Sequence, residues 1–216
     1  LAGSWMKEAG MSVRIDDFGN LIGRLEGRNP ALPVLMMGSH LDSQPYGGRF
    51  DGVAGVLCAI EVVTTMAENG IQPERPIEVI SFADEEGWRF NKGLFGSRGI
   101  LGKLEEGELD RTDKDGISRR QALLDFGCDP TRFTESEYKT GSIHCFLELH
   151  IEQGPVLDMA AKPIGVVTGI SGPIWWTGST VMPRRNGERR SSRRSRPCSP
   201  RRWRPWSWSG SSPWRR

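Results

Sequence analysis

The stretch PVLMMGSHLDSQPYGGRFDGVAGV, residues 33–56, constrains the fold more than any other part of this chain. It opens on a continuous apolar run, Pro33–His40, that carries no polar side chain before Ser39. A run without alternation has to be covered on both faces, so it reads as a strand inside a sheet. A Gly-rich turn follows. Apolar residues then recur at helical spacing (Val53, Val56, Leu57, Ile60, Val63, Met66 and Ala67), with Gly70 as a natural stop.

The same alternation of elements continues downstream. PIEVISFADEEG is a second buried strand breaking into acids, CFLELHIEQG a third, and PIGVVTGI, Pro163–Ile170, a fourth. Two shorter strands, Ser12–Ile15 and Leu21–Leu25, flank a turn around Asp17–Asn20. NKGLFGSRGILGKLEEGEL reads as short helices and turns, and Ser118 caps a compact helix closed by Gly127. Strand, helix and strand in succession predict an α/β domain: a mainly parallel mixed sheet with helices on both faces.

Bulk properties narrow the class. A length of 216 residues suits one domain or one and a half. The net charge of +2 conceals an asymmetry, because the 33 residues from Arg184 hold 12 arginines and one acid. The first 183 residues therefore carry 17 basic and 26 acidic side chains, an acidic body with a basic tail. Four scattered cysteines fit neither a disulfide framework nor a zinc knuckle and predict a reducing cytoplasm. No apolar run reaches the roughly 18 residues of a membrane span, and no signal peptide is expected. The opening Leu1 leaves the natural start open.

In parallel sheets chemistry gathers beyond the carboxyl ends of the strands. Here those ends deliver His40 and Asp42, then Glu85 and Glu86, then His150, while Asp51 lies in the turn before the long helix. Singly, each has an ordinary reading as a structural histidine, a solvated helix start or a turn aspartate. Jointly, imidazoles and carboxylates converging from separate strands are what a zinc- or manganese-type site requires.

The segments GSHLDSQPYGGRFDGVAGV, SFADEEGWRF and ELHIEQGPVL closely resemble motifs of the M20 family of dinuclear metallohydrolases. Within it they resemble the amidohydrolase branch of N-carbamoyl-L-amino-acid hydrolases, allantoate amidohydrolases and β-ureidopropionases. The resemblance covers roughly Ser4 to Trp176. It implies two divalent metal ions, zinc or manganese, with cobalt or nickel also suited. His40 and His150 would hold one ion, Asp51 would bridge both, and Glu86 would hold the second. Asp42 would stand behind His40 and orient its ring. Glu85 would be the general base, and Gln153 a polar contact to substrate. The implied reaction is hydrolysis of a linear amide or ureido C–N bond in a small N-carbamoyl or ureido substrate. His144 has no counterpart in the motif and reads as a surface residue.

The resemblance also implies parts that this chain lacks. Family members continue into a lid domain that mediates a homodimer, then return to supply one further histidine, and no histidine follows His150 here. The expectation is a truncated catalytic domain over 1–176, a junction over 177–183 and a disordered tail over 184–216. That tail is almost wholly Arg, Ser, Pro and Trp, and it has two readings. One is an RNA- or DNA-binding arm. The other, which the codon chemistry of these residue types favours, is out-of-frame translation of a GC-rich gene, with nucleic-acid binding not expected. Little turnover, a weakly held second ion and poor solubility are then expected of the chain as written.

Overall fold

The computed structural model describes residues 1–170, so the expectations for 171–216, the junction and tail among them, lie outside the described residues. The chain divides into two units, Leu1–Val166 and Val167–Arg216. In the first, elements follow in the order α1 (Ala2–Glu8), β1 (Ser12–Ile15), β2 (Leu21–Leu25), β3 (Val34–His40), α2 (Val53–Glu68), β4 (Ile77–Phe82), α3 (Phe95–Ile100), α4 (Arg119–Phe126), α5 (Phe133–Ser136), β5 (Ile143–Leu147) and α6 (Val156–Met159). Among the described residues no helix is long and apolar enough to cross a membrane.

Five strands form one mixed sheet in the order β1-β2-β4-β3-β5. The β3–β4 and β3–β5 ladders are parallel, while β1–β2 and β2–β4 are antiparallel. The β1–β2 pair is antiparallel because the short turn between the two strands allows only a hairpin. Because side chains alternate along a strand, the apolar runs supply both faces at once. Met37, Ile77 and Val79 face α1 and α2 and pack with Met6, Ala9, Met11, Val56, Ala59, Ile60 and Val63. Met36 and Ile80, one residue along, face the other way and pack with Phe18, Ile22, Phe95, Ile100 and Leu123. Helices thus cover both faces, as the unbroken apolar runs required.

Glu78 interrupts the run in β4 and is buried. Its carboxylate accepts hydrogen bonds from the Tyr138 hydroxyl and from Nη1 of Arg24, the latter at 3.2 Å. A buried charge is tolerated only with such partners.

Two strand expectations change. The third long strand starts earlier and stops sooner than CFLELHIEQG suggests, because the ladder with β3 ends at Met37–Leu147. Beyond it the Leu149 carbonyl presses against α2, so close to Gly55 that a Cβ there would stand 2.5 Å away. His144, expected ahead of the strand, lies within β5 and is exposed, in keeping with a surface role. Residues 163–170 form neither strand nor helix, and Ile164, Val166, Val167 and Ile170 are exposed. An apolar pattern makes a strand only where a neighbour takes up its backbone hydrogen bonds, and among the described residues none does.

Candidate metal centre

The parallel strands β3, β4 and β5 end at the same edge of the sheet, with His40 in register with Phe82. His40 closes β3. The turn after β4 carries Glu85 and Glu86, and the segment after β5 carries His150. Asp51 arrives on the turn into α2, where Gly52 has φ +65. That conformation favours glycine, and the space demands it too, since an added Cβ would stand 2.4 Å from the His40 ring.

One ligand atom from each of His40, Asp51 and His150 can be chosen so that all three lie within 4.8 Å of one another. Nε2 of His150 is 3.1 Å from Asp51 Oδ1, and Nε2 of His40 is 3.7 Å from the same oxygen. Tetrahedral bonds of about 2.0–2.1 Å place two ligand atoms about 3.3 Å apart, a value these distances bracket. The other ring nitrogens settle the tautomers. Nδ1 of His40 lies 2.9 Å from the Asp42 carbonyl, and Nδ1 of His150 lies 2.8 Å from the Ile151 carbonyl. A carbonyl only accepts, so each Nδ1 carries a proton, and in the neutral ring that a metal ion requires each Nε2 turns a lone pair inward. Asp51 Oδ1 is itself buried without a hydrogen-bond partner. Two lone pairs and a carboxylate oxygen converge with no donor between them, and a divalent cation fits that donor set.

Of the residues anticipated here, His40, Asp51 and His150 form this compact triad. Glu85 reaches its rim, with Oε2 3.6 Å from Nε2 of His40. Glu86 stands outside the triad. Its Oε2 accepts from Gln44 at 3.2 Å, and its Oε1 is buried without a partner. Asp42 orients His40 through its backbone carbonyl, because its carboxylate is 3.6 Å from Nδ1. That carboxylate accepts the backbone N–H of Glu85 at 3.2 Å and of Glu86 at 3.0 Å. Gln153 donates from Nε2 to Asp51 Oδ2 at 2.7 Å and so fixes the triad's carboxylate.

Two contacts went unread in the sequence. Ser39, buried beside His40, donates its hydroxyl to Glu148, which ties the His150 segment to β3. A serine beside a histidine in an otherwise apolar strand was the available signal. Gln44, in the Gly-rich turn, is the other, and nothing local marked it out.

The electrostatics agree with a cation site. Burial raises the Glu85 carboxyl above its ordinary range, and Asp42, Glu86 and Glu148 add to the rise against the pull of His40. Burial likewise raises Glu86, with Asp51 and Asp42 adding and the two histidines opposing. Among the described residues no Lys or Arg pairs with Asp42, Asp51, Glu85 or Glu86; the only basic partners of these acids are the two histidines.

Comparison with known proteins gives this geometry a context. Residues 36–214 match the family described as Peptidase family M20/M25/M40. An N-carbamoyl-L-amino-acid amidohydrolase of Pseudomonas sp. (strain NS671) is 49% identical over 178 residues, 82% of this chain and 43% of that protein. An allantoate deiminase of Arabidopsis thaliana is 40% identical over 172 residues, 78% of this chain and 33% of that protein. The crystal structure of a hydantoinase/carbamoylase family amidase from Burkholderia ambifaria superposes with a TM-score of 0.66 at 40% identity, over 74% of this chain and 38% of that one. The chain spans less than half the length of these relatives. With its mixed α/β sheet and its His/Asp cluster at the strand ends, the chain belongs to the M20/M25/M40 peptidase family.

Proposed function

We propose that this chain carries the metal-binding part of a hydrolase for linear amide and ureido C–N bonds, with N-carbamoyl-L-amino acids as substrate. The carrying observation is Asp51 Oδ1, buried without a hydrogen-bond partner beside the Nε2 atoms of two imidazoles whose Nδ1 atoms both face carbonyls. The names of the relatives at 48–50% identity support the substrate class. Allantoate is the alternative, supported by relatives at 40%.

His40, Asp51 and His150 would hold one ion, zinc or manganese by donor chemistry. Glu86, whose Oε1 is buried without a partner, would hold a second. Divalent ions there supply a lowered water pKa and a polarised carbonyl. Glu85 accepts the proton of the attacking water at its carboxylate and returns it to the leaving nitrogen. Its raised affinity for a proton, caused by burial and neighbouring acids, suits both halves of that exchange. The carbamate released decomposes to carbon dioxide and ammonia. The free thiols Cys58, Cys128 and Cys145 support a reducing cytoplasm as its location.

Calorimetric titration with Zn2+ or Co2+ tests the site. One tight equivalent is expected, abolished by His40→Ala or His150→Ala, with a second, weaker equivalent lost in Glu86→Gln. Ammonia release from N-carbamoyl amino acids is expected to be small for this chain and to vanish in Glu85→Gln. Tight binding that survives both histidine substitutions would overturn the reading.

A further inference from the structure

We propose that Arg119 is the positioning residue for the Glu85–Glu86 pair, acting through Asp84 and the Lys92 backbone. The functional meaning of this inference rests on the metal reading above; its geometry stands apart from it.

Arg119 is the first residue of α4 and is 1% exposed, although nothing about its place in the sequence marks it as interior. Its guanidinium lies 4.9 Å from the centre of the Phe90 ring and 4.3 Å from that of Phe95. Nη1 donates to Glu108 at 2.9 Å, and Nη2 donates both to Asp84 Oδ2 at 2.7 Å and to the Lys92 carbonyl at 2.9 Å. Asp84 immediately precedes the acid pair, and Lys92 closes the same excursion before α3. One side chain therefore staples the two ends of the segment that presents Glu85 and Glu86. Arg98, held by Glu108, adds a bond to the adjoining Gly93 carbonyl at 3.0 Å.

Asp84 has φ +49, a left-handed backbone that a residue with a side chain adopts only when its surroundings hold it there. The backbone of the turn is held elsewhere, by Asp42 and by the N–H groups of Leu94, Phe95 and Gly96, which donate to the carbonyls of Glu85, Asp84 and Ala83. Arg119 grips the Asp84 side chain, which these backbone contacts leave free. Between Phe90 and Phe95 an apolar residue would fill the space without the desolvation that a buried cation suffers, so stability alone is a poor reason for arginine here. Two directed, charge-assisted bonds to opposite ends of one loop are what the guanidinium adds.

The test is amide hydrogen exchange at Glu85 and Glu86 in the 216-residue chain, read as a ratio to the β4 amides of the same molecule. Asp84→Asn leaves Arg119 and its Glu108 bond in place, and Arg119→Met removes the staple. Each is expected to lower protection at Glu85 and Glu86 about tenfold more than in β4, as loss of a charge-assisted bond would. Ser136→Ala, which loosens the distant Asp17 contact, should lower stability without moving the ratio. A ratio unchanged in Asp84→Asn overturns the positioning role, even if Arg119→Met fails to fold. Cobalt titration carried past the first equivalent tests the link to the site, with about tenfold weaker binding of the second ion expected in Asp84→Asn. A shifted exchange ratio with unchanged cobalt binding overturns that link. A parent chain that binds no cobalt overturns the metal reading instead, and the exchange ratio still decides the role of Arg119.

Discussion

Replacing Gly52 by alanine isolates the contact between the turn into α2 and the His40 ring, because the fold supplies its own control. Gly52 and Gly70 flank the same helix with nearly equal φ, +65 and +64. Alanine at a positive φ costs about 1–2 kcal/mol in the left-handed helical well, and at Gly52, whose ψ of −49 lies outside that well, at least as much. At Gly70 no atom lies within 4 Å of the added Cβ, so the backbone term is the whole effect. At Gly52 the Cβ would stand 2.4 Å from Cε1 and Nε2 of His40. Carbon contacts are comfortable from about 3.5 Å, so ring and turn must part by about 1 Å. The ring has little room, with its side chain 3% exposed and Nδ1 bonded to the Asp42 carbonyl at 2.9 Å. Overpacking of this kind adds about 1–3 kcal/mol. Metal–ligand distances tolerate only about 0.2 Å, so ion affinity should fall as well, by about 10- to 100-fold. Urea denaturation and cobalt titration of both variants separate the two terms. Gly70→Ala should lose stability and keep its cobalt affinity, whereas Gly52→Ala should lose both. Equal cobalt affinity in the two variants would refute the argument.

Ser39→Ala removes the hydroxyl that holds Glu148 and with it the tie between β3 and the His150 segment; cobalt affinity should drop about tenfold in titration, with a change in the visible spectrum. Glu108 is buried between Arg98 and Arg119. Burial alone would raise its carboxyl, yet the bonds from Arg98, from the Glu105 N–H and the nearby cations outweigh it and lower the folded value. Its stabilising contribution is therefore present above the ordinary carboxylate range and is lost as pH falls through the lowered folded value. Glu108→Ala should cost about 3 kcal/mol at neutral pH, measured by denaturation, and the gap between variant and parent should narrow in acid.

Much of the fold was legible because local patterns decide it. The hairpin β1–β2 and α4, with Ser118 accepting from the Gln121 N–H and Gly127 at φ +92, match their sequence signals closely. The strand ends were legible for the same reason, and with them the candidates they deliver; the grouping of His40, Asp51 and His150 came from the resemblance. What the sequence could not show depends on partners far along the chain. Residues 163–170 have a strand's composition and no ladder. Asp42 was expected behind an imidazole, and its carboxylate, 3.6 Å from Nδ1 of His40, also accepts from amides 43 and 44 residues away that the sequence did not mark. Arg119 sits where a solvated first-turn residue is the ordinary expectation, and its burial depends on partners such as Asp84, 35 residues back, Glu108, 11 back, and the Phe90 and Phe95 rings.

The position of β5 at the sheet edge bears on how the chain holds together. Among the described residues it pairs with β3 alone, and its side chains are mostly exposed. Little apolar area therefore resists its fraying. The segment that follows reaches the core through Ser39–Glu148, Gln153–Asp51 and the His150 imidazole. A cation clasped between His150 and the βα unit of His40 and Asp51 would act as a rivet through that seam. Its binding free energy would then appear twice, as occupancy of a site and as resistance of the last strand to peeling away.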